Sequence, residues 1–235
     1  MIEAMKKVIL GMILVAGSAA EGLSADLGVV RSGQAVDWSG PFVGGHFAYG
    51  VGSSQYAFGV PGLALSSGSI DLTNSLNAFK GTGSYALGLG AGYNYVLPSH
   101  VLLGIEGDLT FPNTISGTTS VVGAQGPAAL KETVLTSGTL RARLGYASGP
   151  WLFYATGGFA WSYDQATLDP LDGTPGDKIG FTRLGSAWGA GAEVALSANW
   201  SARFEYLYTD FGTKEKAFAG AAAERNAPMS AQGPG

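Results

Sequence analysis

Eight charged residues stand at positions whose spacing gives them a common direction. Glu106 and Asp108 lie two apart, as do Arg141 and Arg143, and Arg203 and Glu205; Arg183 and Glu193 fall on the same parity of their own segment. In an extended chain, residues two apart share a side. Each segment therefore turns these groups toward the side that also carries its glycines. Four carboxylates meet four guanidiniums, and their formal charges cancel. The planar fork of arginine pairs two carboxylate oxygens at once. The chemistry expected is ion pairing inside a neutral polar interior, with a substrate path the lesser reading.

Other chemistry has little support. His46 and His100 are the two histidines, and no acid is placed beside either by the pattern, so no catalytic residue is assigned. Asp169, Asp172 and Asp177, with Gly173 and Gly176, resemble a weak calcium loop, but a solvated polar turn explains them as well, and no metal is assigned. The glycines of GLGAGYN open no helix, so they form no nucleotide loop, and no cofactor is expected. Asn199-Trp200-Ser201 matches a glycosylation sequon but falls at a strand start. The chain has no cysteine, which excludes disulfides and thiolate chemistry. A net charge of −4 without asymmetry argues against nucleic acid.

The elements that must position the charges are strands. In Leu184–Gly212, Leu184, Trp188, Ala190, Ala192, Val194 and Leu196 share one parity. After a turn at 197–199, Trp200, Ala202, Phe204, Tyr206 and Tyr208 share one face and Arg203 and Glu205 the other. Counting about the turn sets Glu193 opposite Arg203, so the two are expected as one pair. Period two with large apolar groups on one side is a strand signature. Aromatic residues on the outer side and charge with glycine on the inner describe a membrane β-barrel.

Five earlier segments repeat the unit. Val43, Phe47, Tyr49 and Val51 oppose Gly44, His46, Ala48 and Gly50; Tyr85, Leu87, Leu89, Ala91, Tyr93 and Tyr95 oppose Gly88, Gly90, Gly92 and Asn94. Leu103, Ile105, Leu109 and Phe111 oppose Gly104, Glu106, Asp108 and Thr110. Leu140, Ala142, Leu144 and Tyr146 oppose Arg141, Arg143 and Gly145. Trp151, Phe153, Phe159, Trp161 and Tyr163 oppose Tyr154, Thr156, Gly158 and Ser162. Short turns at 98–100, 148–150 and 197–199 alternate with long connections at 53–83, 112–136 and 164–181, the rhythm of periplasmic turns and outer loops.

Composition agrees. Charged residues make up 13% of the chain, and there are 38 glycines without a collagen period. Residues 1–20 read as a secretory signal: Lys6-Lys7, an apolar run from Val8 to Val15, and small residues to Ala20, with cleavage there or after Ala25. The run is shorter than the roughly 20 residues a membrane helix needs. An exported chain without such a helix is left with the closed barrel as its spanning form. Trp151 and Trp161 are ten residues apart, about 23 Å of height at a tilt of roughly 45°. That matches an apolar band of about 25 Å between aromatic girdles. Trp38, Trp151, Trp161, Trp188 and Trp200 form the expected girdle set, three of them at strand starts.

The pieces WSGPFVGG, LRARLGYA, LFYATGGFAW, WGAGAEVAL and WSARFEYLYTDFG resemble the small outer-membrane β-barrel family of immunogenic and porin-family proteins, related to the OmpA transmembrane barrel. The resemblance covers about residues 38–212. It implies an all-β, antiparallel up-and-down transmembrane β-barrel of eight strands in a Gram-negative outer membrane. Seven strands are recognisable. The organisation expected is a signal peptide at 1–20, a lead-in at 21–37, the barrel at 38–212 and an irregular tail at 213–235. The family's last strand ends in an aromatic residue, and this tail supplies none. Truncation or frameshift is the favoured account, and pairing by a segment read as irregular is the other.

The function implied is a structural, surface-exposed envelope protein with a side-chain-filled lumen. The alternative is a narrow or gated porin-like channel; an envelope enzyme modifying lipid or peptide, using His46, is the third reading. Partners implied are outer-membrane lipids and lipopolysaccharide, the barrel-assembly machinery, and host or environmental ligands at the outer loops.

Overall fold

The computed structural model describes residues 5–13, 36–58, 66–71, 84–113, 116–123, 126–173 and 175–211. For β1 and parts of other strands only the backbone is described. The ten strands are β1 (Met5–Ile13), β2 (Gly40–Phe58), β3 (Ser66–Asp71), β4 (Ser84–Val96) and β5 (Val101–Asn113), followed by β6 (Ser116–Gly123), β7 (Gly126–Ser148), β8 (Trp151–Pro170), β9 (Asp177–Ala195) and β10 (Ser201–Asp210).

All pairings are antiparallel, and they close on themselves. The order runs β1-β10-β9-β8-β7-β5-β4-β2, and β1 pairs β2 as well. Eight strands thus form the ring, while β3 and β6 extend β2 and β7 beyond it. Closure matters because any open edge in lipid leaves unpaired backbone N–H and C=O groups.

The eighth position is filled from the N-terminal side. Met5–Ile13, within the segment expected as an export signal, lies between β10 and β2. Val8, Leu10 and Met12 register with Tyr208, Tyr206 and Phe204 on one flank and with Val51, Tyr49 and Phe47 on the other. Both flanking sets belong to the outward parity. Neither account of the absent strand names this segment: the position is taken by a stretch expected as signal, not by one read as irregular. The rest of the expected signal and lead-in, up to residue 35, and the tail at 213–235 lie outside the described residues.

The outward parity holds throughout. Leu89, Tyr93, Ile105, Leu144, Phe153, Phe159, Leu184, Trp188 and Phe204 are exposed, and the residues between them are buried or half-buried. A surface of large apolar side chains around a charged interior inverts the usual distribution.

The long connections differ from expectation. Residues 112–136 are largely strand: the end of β5, then β6 and the first part of β7. Residues 164–181 are mostly the end of β8 and the start of β9, and 53–58 and 66–71 are also strand. These stretches extend the sheet past the ring. Their Ser, Thr and Gly leave the inward apolar residues few and interrupted by Glu132, so alternation is a weak signal there. The interior there holds a small apolar cluster of Val121, Ala128, Leu130, Val134, Ala160, Ala187 and Phe211. The turn at 98–100 forms as expected, with His100 in the left-handed region at φ 65°.

Candidate functional site: the lumen

The inward residues stack in layers from the short-turn end upward. The first layer is apolar. Leu102, Ala147, Leu152 and Tyr154 pack together, with Trp38 and Val96 against them. Trp38 reaches across this mouth and donates its indole N–H to Gly149 O at 3.3 Å. It precedes β2, so the parity of a strand does not govern it, and it caps the lumen instead of joining an outer girdle.

The second layer holds seven of the eight predicted charges. Arg141 is its centre. Its Nη1 donates to Glu205 Oε1 at 2.5 Å and to Thr156 Oγ1 at 2.9 Å; its Nε donates to Thr139 Oγ1 at 2.8 Å. Its Nη2 lies 2.8 Å from Glu106 Oε1 and 3.2 Å from Asp108 Oδ2. Thr139 donates its hydroxyl to Asp108. Arg203 Nη1 donates to Glu106 Oε2 at 2.7 Å, and Arg143 Nη2 to Glu193 Oε2 at 2.5 Å. Tyr154 donates its hydroxyl to Glu205 Oε2 at 2.8 Å, and Ser201 to Glu193 Oε1 at 2.6 Å. Arg143 also stacks over Tyr154, 3.8 Å from the ring centroid.

One expected pair is rearranged. Glu193 stands opposite Arg203 in the β9–β10 register, yet the closest ion pair of Arg203 is with Glu106 on β5 and that of Glu193 with Arg143 on β7. A lumen this narrow lets a long guanidinium reach the far wall, where the geometry is better than beside its strand neighbour.

Arg183 sits apart, higher up. Its Nη2 donates to Glu132 Oε1 at 2.5 Å and its Nε lies 3.2 Å from Asp164 Oδ2, which also accepts from Ser162 Oγ at 2.8 Å. The guanidinium lies over the Phe181 ring at 4.8 Å. Glu132 and Asp164 were not anticipated. Asp164 follows from carrying the parity of Ser162 one step further along β8. Glu132 carried no such signal, because a bulge between Val134 and Thr136 shifts the parity of β7. With these two, six inward carboxylates meet four guanidiniums.

Among the described residues, two small cavities adjoin the charged layer. The lower, about 80 Å³, is lined by Trp38, Asn94, Glu193 and Ser201; the upper, about 60 Å³, by His46, Asp108, Thr110, Thr139 and Glu205. His46 Nε2 is 3.3 Å from Thr110 Oγ1. Asp108 is committed to Thr139 and Arg141, so no relay of nucleophile, base and acid assembles around His46. His100 lies in a short turn, edge-on to Tyr146. Among the described residues no group of three metal-ligating side chains converges, and Asp169, Asp172 and Asp177 flank the β8–β9 turn separately.

On the outside, Trp151, Trp188 and Trp200 are exposed, while Trp161 is half-buried. Trp161 lies flat against Gly138, where a Cβ would meet its ring at 2.3 Å. Trp188 registers with Gly157, between the levels of Trp151 and Trp161 on β8, and so lies between the two rims they would mark.

The family model for the outer membrane protein beta-barrel domain matches residues 30–226. The chain belongs to this family. Relatives of this outer-membrane barrel agree. The 31 kDa outer-membrane immunogenic protein of Brucella melitensis biotype 1 is 35% identical over 187 residues, 75% of this chain and 72% of its own length. The 25 kDa outer-membrane immunogenic protein of Brucella canis is 27% identical, covering 78% of this chain and 70% of the relative. The 22 kDa outer membrane protein of Rhizobium leguminosarum bv. viciae is 25% identical, covering 76% and 66%. The protein is an outer-membrane β-barrel.

Proposed function

We propose that the protein is a structural barrel of the outer membrane whose lumen is filled by its own side chains and whose outer hairpins face the environment. The observation that carries this reading is Arg141. From β7 it bridges Glu205 on β10 and Glu106 on β5, tying three walls of the ring together across the lumen. A buried ion pair of this kind breaks even at best against apolar packing. Its use is to fix one arrangement of the strands and to occupy space.

The outer extensions of β6, β7, β8 and β9 are the part offered to host or environmental ligands, and the word immunogenic in the names of the Brucella relatives fits such a placement. The apolar outer surface is the part offered to membrane lipid and lipopolysaccharide, and its strands to the assembly machinery. The test is conductance. Purified, refolded protein in planar bilayers is expected to give no large stable channel, and such a channel would refute the filled lumen.

A further inference from the structure

The lower cavity, about 80 Å³, lies at the short-turn mouth between the start of β2, the end of β4 and the β9–β10 turn, and its polar lining is rich in acceptors. Among the described residues no lysine, arginine or histidine lines it, while Asp37, Asn94, Glu193 and Ser201 do. Asn94 is 5% exposed, and its side-chain Oδ1 has no hydrogen-bond partner. A buried acceptor in that state has lost its hydration and gained no bond. Asp37 is exposed at the rim, where one oxygen accepts the Ser39 amide N–H at 2.8 Å. Glu193 is buried; its oxygens accept from Arg143 and from Ser201, and each keeps a further lone pair. Trp38 and Trp200 complete the wall. The adjoining charged layer is one positive charge short, for Glu106, Asp108, Glu193 and Glu205 face only Arg141, Arg143 and Arg203.

We infer that this cavity is a binding site for a primary alkylammonium group, carried by a peptide side chain or by a free small polyamine. An ammonium brings three N–H donors and no acceptor, the complement of a wall whose unused groups are the Asn94 oxygen and the Asp37 and Glu193 carboxylates. Its charge makes up the deficit of the layer behind it, and a net charge is costly to bury while it stays uncompensated. The Trp38 and Trp200 rings suit a cation further, because the face of an indole attracts one. A divalent metal fits less well. It asks for six or more oxygens, several of them carboxylate, and the buried carboxylate here is already bonded to Arg143 and Ser201. The alkyl chain behind the nitrogen would leave by the short-turn mouth, so nothing has to pass through the barrel. The site is independent of whether the lumen above it conducts.

The experiment is calorimetric titration of the refolded whole chain, with the boiling-dependent mobility shift as the check on folding. The probes are diaminopentane and an Ala-Lys-Ala peptide blocked at both ends, each beside a form whose amines are acetylated. Saturable binding of a free amine is expected, and none of its acetylated form. Binding of the peptide alone assigns the group to a peptide side chain, and binding of the diamine alone to a free polyamine; either outcome supports the site. Asn94→Leu should weaken binding by on the order of tenfold. It should also leave the urea midpoint of the free barrel equal or higher, because the variant removes the unpaired oxygen, a combination that a merely structural role would not give. Asp37→Asn, at an exposed position, should weaken binding as well and decides the matter if Asn94→Leu does not fold. No saturable binding, equal binding of the acetylated probes, or wild-type affinity in the folded variants overturns the site and leaves the filled lumen standing.

Discussion

At the residue scale the interior is a set of mutual obligations. Arg141 is buried among Glu106, Asp108 and Glu205 and is the one guanidinium that reaches all three. Removing one member of a buried pair leaves an uncompensated charge, at a cost of about 3–5 kcal/mol. Arg141→Ala is therefore expected to lower the urea midpoint of the refolded barrel far more than Lys131→Ala, whose side chain is exposed; equal midpoints would show the network to be dispensable. Arg141→Met together with Glu205→Gln should recover much of the loss, because fewer charges are then stranded. The parity of these residues was legible in the sequence, since period two assigns a face without knowledge of the partner strand. Their partners were not. Parity says that Glu193 and Arg203 look inward, and says nothing of the distance across the lumen that sends one to Arg143 and the other to Glu106.

At the element scale the seam between β10 and β2 is the decisive place. Every ring strand needs two neighbours in lipid, and Met5–Ile13 supplies the eighth set of backbone groups along both edges. Refolding the whole chain beside one beginning at residue 21 separates the contributions. The whole chain is expected to show the mobility shift on boiling, and the shorter chain to lose it; a shift in both would mean that another segment can close the ring. Seven strands were readable because half-lipid, half-lumen residues force strong alternation. The eighth was not, because lysines before a short apolar run match an export signal as well as a strand. The outer hairpins escaped for a different reason. Ser116–Gly123 and the start of β7 are solvated on the outside, so selection for contrast between faces is weak, and the bulge after Val134 breaks what alternation there is.

For the whole molecule, the inverted surface makes a test of membrane embedding. Leu144 is exposed, faces outward, and registers with Ala155, between the levels of Trp151 and Trp161. Leu171 is also exposed but lies in the turn beyond β8. Leu144→Arg should destabilise the barrel in bilayers by about 2–4 kcal/mol, while Leu171→Arg should cost nearly nothing. In a soluble sandwich both changes would be mild, so equal effects in lipid vesicles would count against the assigned orientation.

The outer extensions are hydrogen-bonded sheet, and this decides what an antibody raised against them would recognise. Thr118 of β6 pairs with Lys131 of β7, Lys131 with Thr167 of β8, and Thr167 with Lys178 of β9. Exposed Thr118, Lys131 and Lys178 therefore form a row assembled from segments far apart in the chain. An antibody docking on such a row recognises a discontinuous epitope. Sera raised against intact cells are then expected to bind the unboiled protein and to fail on the boiled protein and on linear peptides from the same strands.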